Sequence, residues 1–361
     1  MKVGIVGSGM ISGHHLAAAR RWGAQVVGIA DPDVERARAQ AARFGAGAVF
    51  ASLRELIAAT RPDVVHVLTP PETHAALAVD ALEAGAHVYV EKPMAVTVSD
   101  CEAMASAAAR ARRELCVGHC WLFTPPVLRA QRLIASGAAG DVLQASASFT
   151  YDLSRNKGFG EGHWATRLPG GIVEDLAVHP ASLLVRLLGA PRATTGVTRA
   201  GTPLPGRDEE MRAIVDAERG LGSLAVSVGG RPDVALLDVQ CTRMLLRLNI
   251  SSLALTVERE LPVPRKLARP LGNVSVAAQL VSGTAGAAWQ LARKRIDGSY
   301  GVIPLVHAFY DALEAGRPAP VGPAEGTQAV AVLRSVWPTA AAVARPEHAA
   351  APRAAPTVRV A

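Results

Sequence analysis

Two short segments of this 361-residue chain carry side chains suited to moving a proton. In "VYVEKPMAVT", residues 88–97, an apolar run of β-branched and aromatic residues stops on Glu91, Lys92 and Pro93. Lysine is rarely fully buried unless it is paired or at work. Partial burial beside other cations lowers its pKa, and such a lysine can hydrogen-bond a hydroxyl or carry a proton. In "LPGGIVEDLAVHPASLL", Asp175 and His179 stand four residues apart, so on a helix they share a face. Gly170 and Gly171 suit a tight start to that helix. Taking a hydride from an alcohol carbon also requires removing the hydroxyl proton, a task that fits a histidine titrating near neutrality. A carboxylate beside it can orient it or contact the reacting molecule. Each group also has a plainer explanation: Lys92 could pair with Glu91 or cap a loop, and Asp175–His179 could be a surface or packing pair.

Chemistry at a distance of some eighty residues needs a frame. The first 120 residues supply strand-length apolar runs, "KVGIVG", "QVVGIA", "DVVHVL", "HVYVE" and "ELCVGH", separated by alanine-rich helical stretches. That alternation implies a parallel, doubly wound sheet with right-handed crossovers. Ligands of such a sheet bind beyond the carboxyl ends of its strands. Straight after the first strand, "VGIVGSGMISGHHL" places Gly7 where a tight turn is needed and Gly9 where backbone must approach a pyrophosphate. Met10 and Ile11 complete that loop. Ser12 stands at the third glycine position, with Gly13 after it. The second strand ends on Asp31, about twenty residues on, as ribose recognition requires. An acid there accepts bonds from the ribose hydroxyls and repels a 2′-phosphate, whereas Arg36 and Arg38 sit too far into the next helix to clamp one. The expected cofactor is NAD rather than NADP. The loop "VLTPPETH" contributes Thr69, Pro70 and His74, and the next loop Glu91 and Lys92, to the same edge.

After about residue 140 the texture changes. "DVLQASASFTYDL", "RAIVDAERG", "LGSLAVSVGG", "VALLDVQCTRMLLRLNI" and "SLALTVERE" are strand-like with short turns, several with period-two alternation. They predict a large, mostly antiparallel sheet with one open or partner-covered face. Trp121, Tyr151, His163 and Trp164 are candidates to stack on a sugar face, His163 and Trp164 foremost because they precede the Gly170–Gly171 helix start. The formal charge of +7 comes from arginines scattered along helical stretches, which argues against a nucleic-acid partner. Cys101, Cys116, Cys120 and Cys241 lack zinc spacing, so no metal is expected, and buried thiols in a reducing cytoplasm are. No signal peptide is read before "KVGIVG". From Pro270 to Ala292 there is no charged residue, with basic clusters on either side. A packed or partner-facing helix is expected there, with peripheral membrane contact through 270–292 the lesser alternative and a true span the least.

The segments "GSGMIS…H", "ADPDVERA", "SLRELI", "PDVVHVLTPPETH", "ALEAGAHVYVEKPMA" and "GGIVEDLAVH" occur in an order that resembles the Gfo/Idh/MocA family of NAD(P)-dependent oxidoreductases. The resemblance extends to "VLRAQRLIASGAAGDV" and "HAFYDALEAGRPAPVGPAEG". It implies an N-terminal Rossmann domain over 1–121 and a C-terminal α/β domain with a large open sheet over 122–344; the last stretch, "RPEHAAAPRAAPTVRVA", itself reads as a flexible tail over 345–361. The resemblance implies pairing into homodimers or homotetramers. It implies that Lys92, Asp175 and His179 surround a reacting carbon of a sugar, sugar derivative or cyclitol, with His179 as acid/base. Some relatives use transient oxidation for elimination, glycoside cleavage or isomerisation, and a non-catalytic NAD-binding subunit is a further alternative. The chain departs from the family pattern at Ala177, Ser182 and Leu122.

Overall fold

The computed structural model describes residues 1–155, 159, 162–200, 208–293 and 301–338. The alternation of the first 120 residues becomes β1 (Lys2–Val6), α1 (Ser12–Trp22), β2 (Gln25–Ala30), α2 (Val34–Phe44), β3 (Ala48–Phe50), α3 (Leu53–Thr60), β4 (Val64–Val67), α4 (His74–Glu83), β5 (His87–Val90), α5 (Val98–Ala111) and β6 (Leu115–Val117). These strands form one parallel sheet in the order β3-β2-β1-β4-β5-β6. Helices cover both faces, so Val3, Ile5, Ile29, Val65, Val88 and Val90 are all fully buried. That is why these strands read as continuous apolar runs rather than alternating ones. Local chemistry sets the helix ends. Asp33, Ser52 and Thr97 each accept a bond from a backbone N–H of the first turn, and Gly23 and Gly45 close α1 and α2 in the left-handed region. The strand order reverses between β1 and β4. Their carboxyl-end loops therefore diverge and leave a crevice for a ligand.

The second half opens with α6 (Pro125–Ala135) and β7 (Val142–Thr150), followed by α7 (Gly171–Leu188) and then β8 (Pro191–Ala200), β9 (Asp208–Ala217), β10 (Gly220–Ser227), β11 (Val234–Cys241), β12 (Leu245–Asn249) and β13 (Ala254–Glu258). They order as β13-β12-β11-β7-β10-β9-β8, and only the β10–β7 pairing is parallel. One face packs on α7, whose residues are buried along almost its whole length. The other face is open and exposes Val197, Ile214, Leu221 and Leu236.

Three helices close the described chain: α8 (Arg265–Ala292), α9 (Val302–Glu314) and α10 (Pro323–Val336). The last two return to the first sheet, where α9 lies against α1 and α10 against α5 and α7. Helix α8 lies along the edge strand β13. Among the described residues no helix is long and apolar enough to cross a membrane. The tail expected at 345–361 lies outside the described residues.

Candidate active site

The turn after β1 is built by its glycines. Gly7 sits at φ +95°, donates its N–H to Ala30, and would drive a Cβ to 2.7 Å from the Leu68 carbonyl oxygen. Gly9 has the opposite surroundings, with no atom within 4 Å of where a Cβ would sit. Gly9 thus leaves space at the N-terminus of α1, where free backbone N–H groups and the helix dipole suit a phosphate. Ser12 explains the irregular third position: fully buried, it donates its hydroxyl to the Gly9 carbonyl at 2.6 Å and fastens the loop to the helix. Gly13 takes the close packing instead, with Phe44 at 3.4 Å from its Cβ position. Met10 is exposed over the loop.

Asp31 ends β2 almost completely buried. Its carboxylate accepts bonds from the Ser8 N–H and hydroxyl, both at 2.7 Å, and from the Asp33 N–H at 2.8 Å. Burial raises its pKa, but these bonds and one from Arg36 outweigh that and hold it below the ordinary value. The Arg36 guanidinium corrects the sequence reading. It reaches back across the first turn of α2 and donates to both Asp31 oxygens, at 2.9 and 3.1 Å, and to Ser8. A half-exposed cation therefore stands beside the buried acid. The open glycine turn and the buried acid fit a dinucleotide.

At the end of β5 the three residues Glu91, Lys92 and Pro93 diverge in role. Glu91 points into the sheet. Its Oε1 lies 3.0 Å from His15 Nε2; His15 Nδ1 lies 2.9 Å from His66 Nδ1; and His66 Nε2 lies 2.8 Å from the Tyr310 hydroxyl. This buried polar chain ties α1, β4 and α9 to the lysine loop. Gly118 leaves room for it, since a Cβ there would meet Glu91 Oε1 at 3.0 Å. Lys92 points the other way, across to α7. Its Nζ donates to Asp175 Oδ1 at 2.7 Å and to the Asp175 carbonyl at 3.3 Å. His74 starts α4 and stitches two loops, with Nε2 at 2.7 Å from the Thr69 carbonyl and Nδ1 at 3.0 Å from that of Pro93. Thr69 bonds Thr73 within its own loop, and the Pro70 carbonyl accepts from the Thr73 hydroxyl.

His179, one turn beyond Asp175 on α7, stacks on Trp121 at 4.7 Å between ring centroids. Its Nδ1 is buried and unpartnered, while the residue as a whole keeps partial exposure. Burial, then the nearby Lys92 cation, holds its pKa well below 6.5, so it is a neutral base at pH 7. His119 is a buried neighbour of this cluster that sequence reasoning missed. It is fully buried, neither ring nitrogen has a partner, and burial first of all pushes its pKa down to about 3. It acts electrostatically on His179 and feels Glu91 and Lys92. The signal was present in "CVGHC", where the cysteines drew attention from the histidine between them.

His163 accepts the Ala165 N–H on Nδ1, which caps the short turn Trp164–Arg167, and it feels both Asp175 and Lys92. A chain of ring contacts runs from His179 through Trp121, Phe149, Tyr151 and Phe159 to His163 and Trp164. Lys92, Asp175, His179 and His163 thus converge from three separate segments. Arg167 also pairs with Glu72, joining this turn to the loop after β4.

Comparison with known proteins bears on this arrangement. Residues 1–119 match a family model described as an oxidoreductase family with an NAD-binding Rossmann fold, and residues 127–246 match the GFO/IDH/MocA C-terminal domain. The chain is 39% identical over 196 residues to a 1-carboxy-3-chloro-3,4-dihydroxycyclohexa-1,5-diene dehydrogenase of Comamonas testosteroni, covering 53% of this chain and 48% of that protein. It is 29% identical over 211 residues to a D-apiose dehydrogenase of Paraburkholderia graminis, covering 57% and 55%. The matches to these two relatives span about half their length. A solved levoglucosan dehydrogenase in complex with NADH and levoglucosan superposes with a TM-score of 0.77 at 21% identity, over 93% of this chain and 96% of that one. At that identity the likeness is one of fold.

Proposed function

Because the chain belongs to the Gfo/Idh/MocA family of oxidoreductases with an NAD-binding Rossmann fold, we propose that it transfers a hydride between a nicotinamide and a carbon-bound hydroxyl or ketone of a sugar, sugar derivative or cyclitol. The observation that carries the reading is the 2.7 Å contact of Lys92 with Asp175, made across the two halves of the chain near a neutral, partly exposed histidine. The names of the relatives, which include dehydrogenases of a ring diol and of a sugar, agree with a polyhydroxylated substrate.

When bound, the nicotinamide supplies the hydride acceptor or donor. The chain's own residues handle the rest. His179 takes the hydroxyl proton during oxidation and returns it during reduction. Its low pKa keeps it ready as a base, and the imidazolium formed lies against the Trp121 ring face, which stabilises a cation. Lys92 donates a hydrogen bond to the reacting oxygen and spreads the charge that develops there. Asp175 holds that ammonium in place and offers its second oxygen to a neighbouring hydroxyl. His163 and Trp164 give the surface on which a sugar ring stacks, while Trp121, buried and stacked on His179, supports the base instead. Asp31 favours NAD over NADP. Four buried free cysteines fit a reducing compartment, so the cytoplasm is the proposed location. The open sheet face, with Val197, Ile214, Leu221 and Leu236, is the proposed surface for self-association.

The test is a panel of polyols, inositols and aldoses with NAD, read by NADH absorbance. At least one class should give net NADH. Replacing His179 by alanine should lower that turnover about 10²-fold or more with NAD affinity near normal. Full turnover in the variant would remove His179 from the reaction. NAD binding without turnover across the panel would favour a non-catalytic subunit.

A further inference from the structure

Helix α8 faces the wrong way for an ordinary surface helix. The side it lays on the protein carries Ala268, Gly272, Val276, Gln279, Gly283 and Ala287, all partly buried. Most of these are small. Gln279 anchors the helix, because its side-chain amide accepts from Val257 N–H at 2.8 Å and donates to the Val257 carbonyl at 3.0 Å. That amide imitates a pairing strand and covers part of the open edge of β13. The side turned to solvent is the more apolar one. Leu267, Leu271, Val274, Ala278, Val281, Ala285, Ala288 and Ala292 are all exposed there, Val281 at 73%.

The spacing of those eight residues is 4, 3, 4, 3, 4, 3 and 4. Alternation of three and four is the coiled-coil repeat, sustained here over the four heptads that such a pairing requires. A helix lying on a membrane carries a broader apolar face and has no need of this period. The sequence along the seam is also complementary to its own reverse. Turned end over end about a point between Gln279 and Leu280, the seam sets Leu267 against Ala292, Leu271 against Ala288, Val274 against Ala285 and Ala278 against Val281. Every pair joins one branched aliphatic side chain to one alanine, so each layer keeps a similar volume and the two helices can approach closely. An interface that repeats under a two-fold rotation is what two copies of one chain form.

We propose that α8 is a self-association surface, on which α8 of a second copy of this chain packs antiparallel in that register. The seam runs about 38 Å at 1.5 Å per residue. It has no charge between Pro270 and Ala292, so nothing charged is desolvated along that run. Among the described side chains the cations lie only near the ends, Lys266 and Arg269 on one side and Arg293 on the other. The antiparallel register brings unlike ends but like charges together, so the association tightens as salt screens them. Binding of the same helix to an anionic lipid surface would weaken with salt, which separates the two partners by sign.

The experiment uses the full chain. Leu271→Cys and Ala288→Cys variants are co-expressed as a mixture, and each is also made alone; the native cysteines are buried and do not compete. Oxidation should yield a covalent dimer from the mixture and little from either variant alone. In parallel, Leu271→Asp with Val274→Asp should halve the mass measured by light scattering while circular dichroism stays unchanged. Both positions are exposed, so folding is not at stake. A cross-linked dimer of Leu271→Cys alone would mean a parallel pairing and would overturn the register. Unchanged mass in the double variant, or no cross-link in the mixture, would overturn the surface itself. Sedimentation of the protein with vesicles containing anionic lipid, weakened by salt and without any cross-link, would assign α8 to a membrane instead.

Discussion

Lys92 and Asp175 stand 2.7 Å apart with 16% and 5% of their side chains exposed, so each compensates a charge the other would leave stranded. Removing one partner of such a pair costs on the order of 3–5 kcal/mol. Lys92→Met should therefore destabilise the protein by about 3 kcal/mol, and Asp175→Asn added to it should recover part of the loss; urea titration reads both. If the double variant is no more stable than the single one, the pair is not the cause. At the other end of the crevice, Asp31→Ala should weaken NAD binding and raise the use of NADP relative to NAD, because Arg36 is then free to meet a 2′-phosphate. Relative KM values for the two cofactors check this, and unchanged discrimination would remove Asp31 from ribose recognition. Residue types made Lys92, Asp175, His179 and Asp31 legible from sequence. His119 and the His15–His66–Tyr310 chain were not, because their meaning lies in what surrounds them across the sheet, and 244 residues separate His66 from Tyr310.

The turn between β1 and α1 separates folding from binding within one element. Gly7 must be glycine for the chain to fold, given its φ of +95° and the Leu68 carbonyl beside it. Gly9 meets nothing, so Gly9→Val should leave thermal stability within about 0.5 kcal/mol and yet strongly reduce NAD affinity. A thermal-shift titration with NAD reads both quantities at once, and retained affinity would move the pyrophosphate elsewhere. Long elements with a clear period were readable. The strands β3 and β8 were not. The first has only three residues, and the second, "PRATTGVTRA", is rich in threonine and alanine and becomes a strand through its pairing with β9. Helix α8 was expected to be packed or partner-facing; it packs by one narrow face and leaves the seam uncovered.

For the whole molecule, buried neutral histidines set the response to acid. His66, His74, His119 and His179 have pKa values lowered chiefly by burial, and His87 and His163 shift the same way. Above pH 6.5 these groups are neutral in both folded and unfolded chains and contribute no pH dependence. Below it the unfolded chain takes up protons that the folded one refuses, so stability falls as pH drops. Each strongly lowered histidine removes about 1.4 kcal/mol per pH unit below its ordinary value. The Tm should decline steadily between pH 6.5 and 5, and a flat profile across that range would mean that these rings are not held neutral. The lowered carboxyls of Asp31 and Glu91 act only at lower pH, below their ordinary titration range.

What the amino-acid order determined by itself was everything written in local periodicity and backbone need: the alternating strands and helices, the glycine turn with its acid, and the helix that carries Asp175 and His179. These depend on neighbours three, four or twenty residues apart. Only the tertiary structure decided which distant groups share a space. It set Lys92 on Asp175 rather than on Glu91, turned Arg36 back onto Asp31, stacked Trp121 on His179 and left the heptad face of α8 pointing outward. The physical reason is that a side chain's partner follows from how sheets and helices close over one another, and that closure is settled by burial summed over the whole chain.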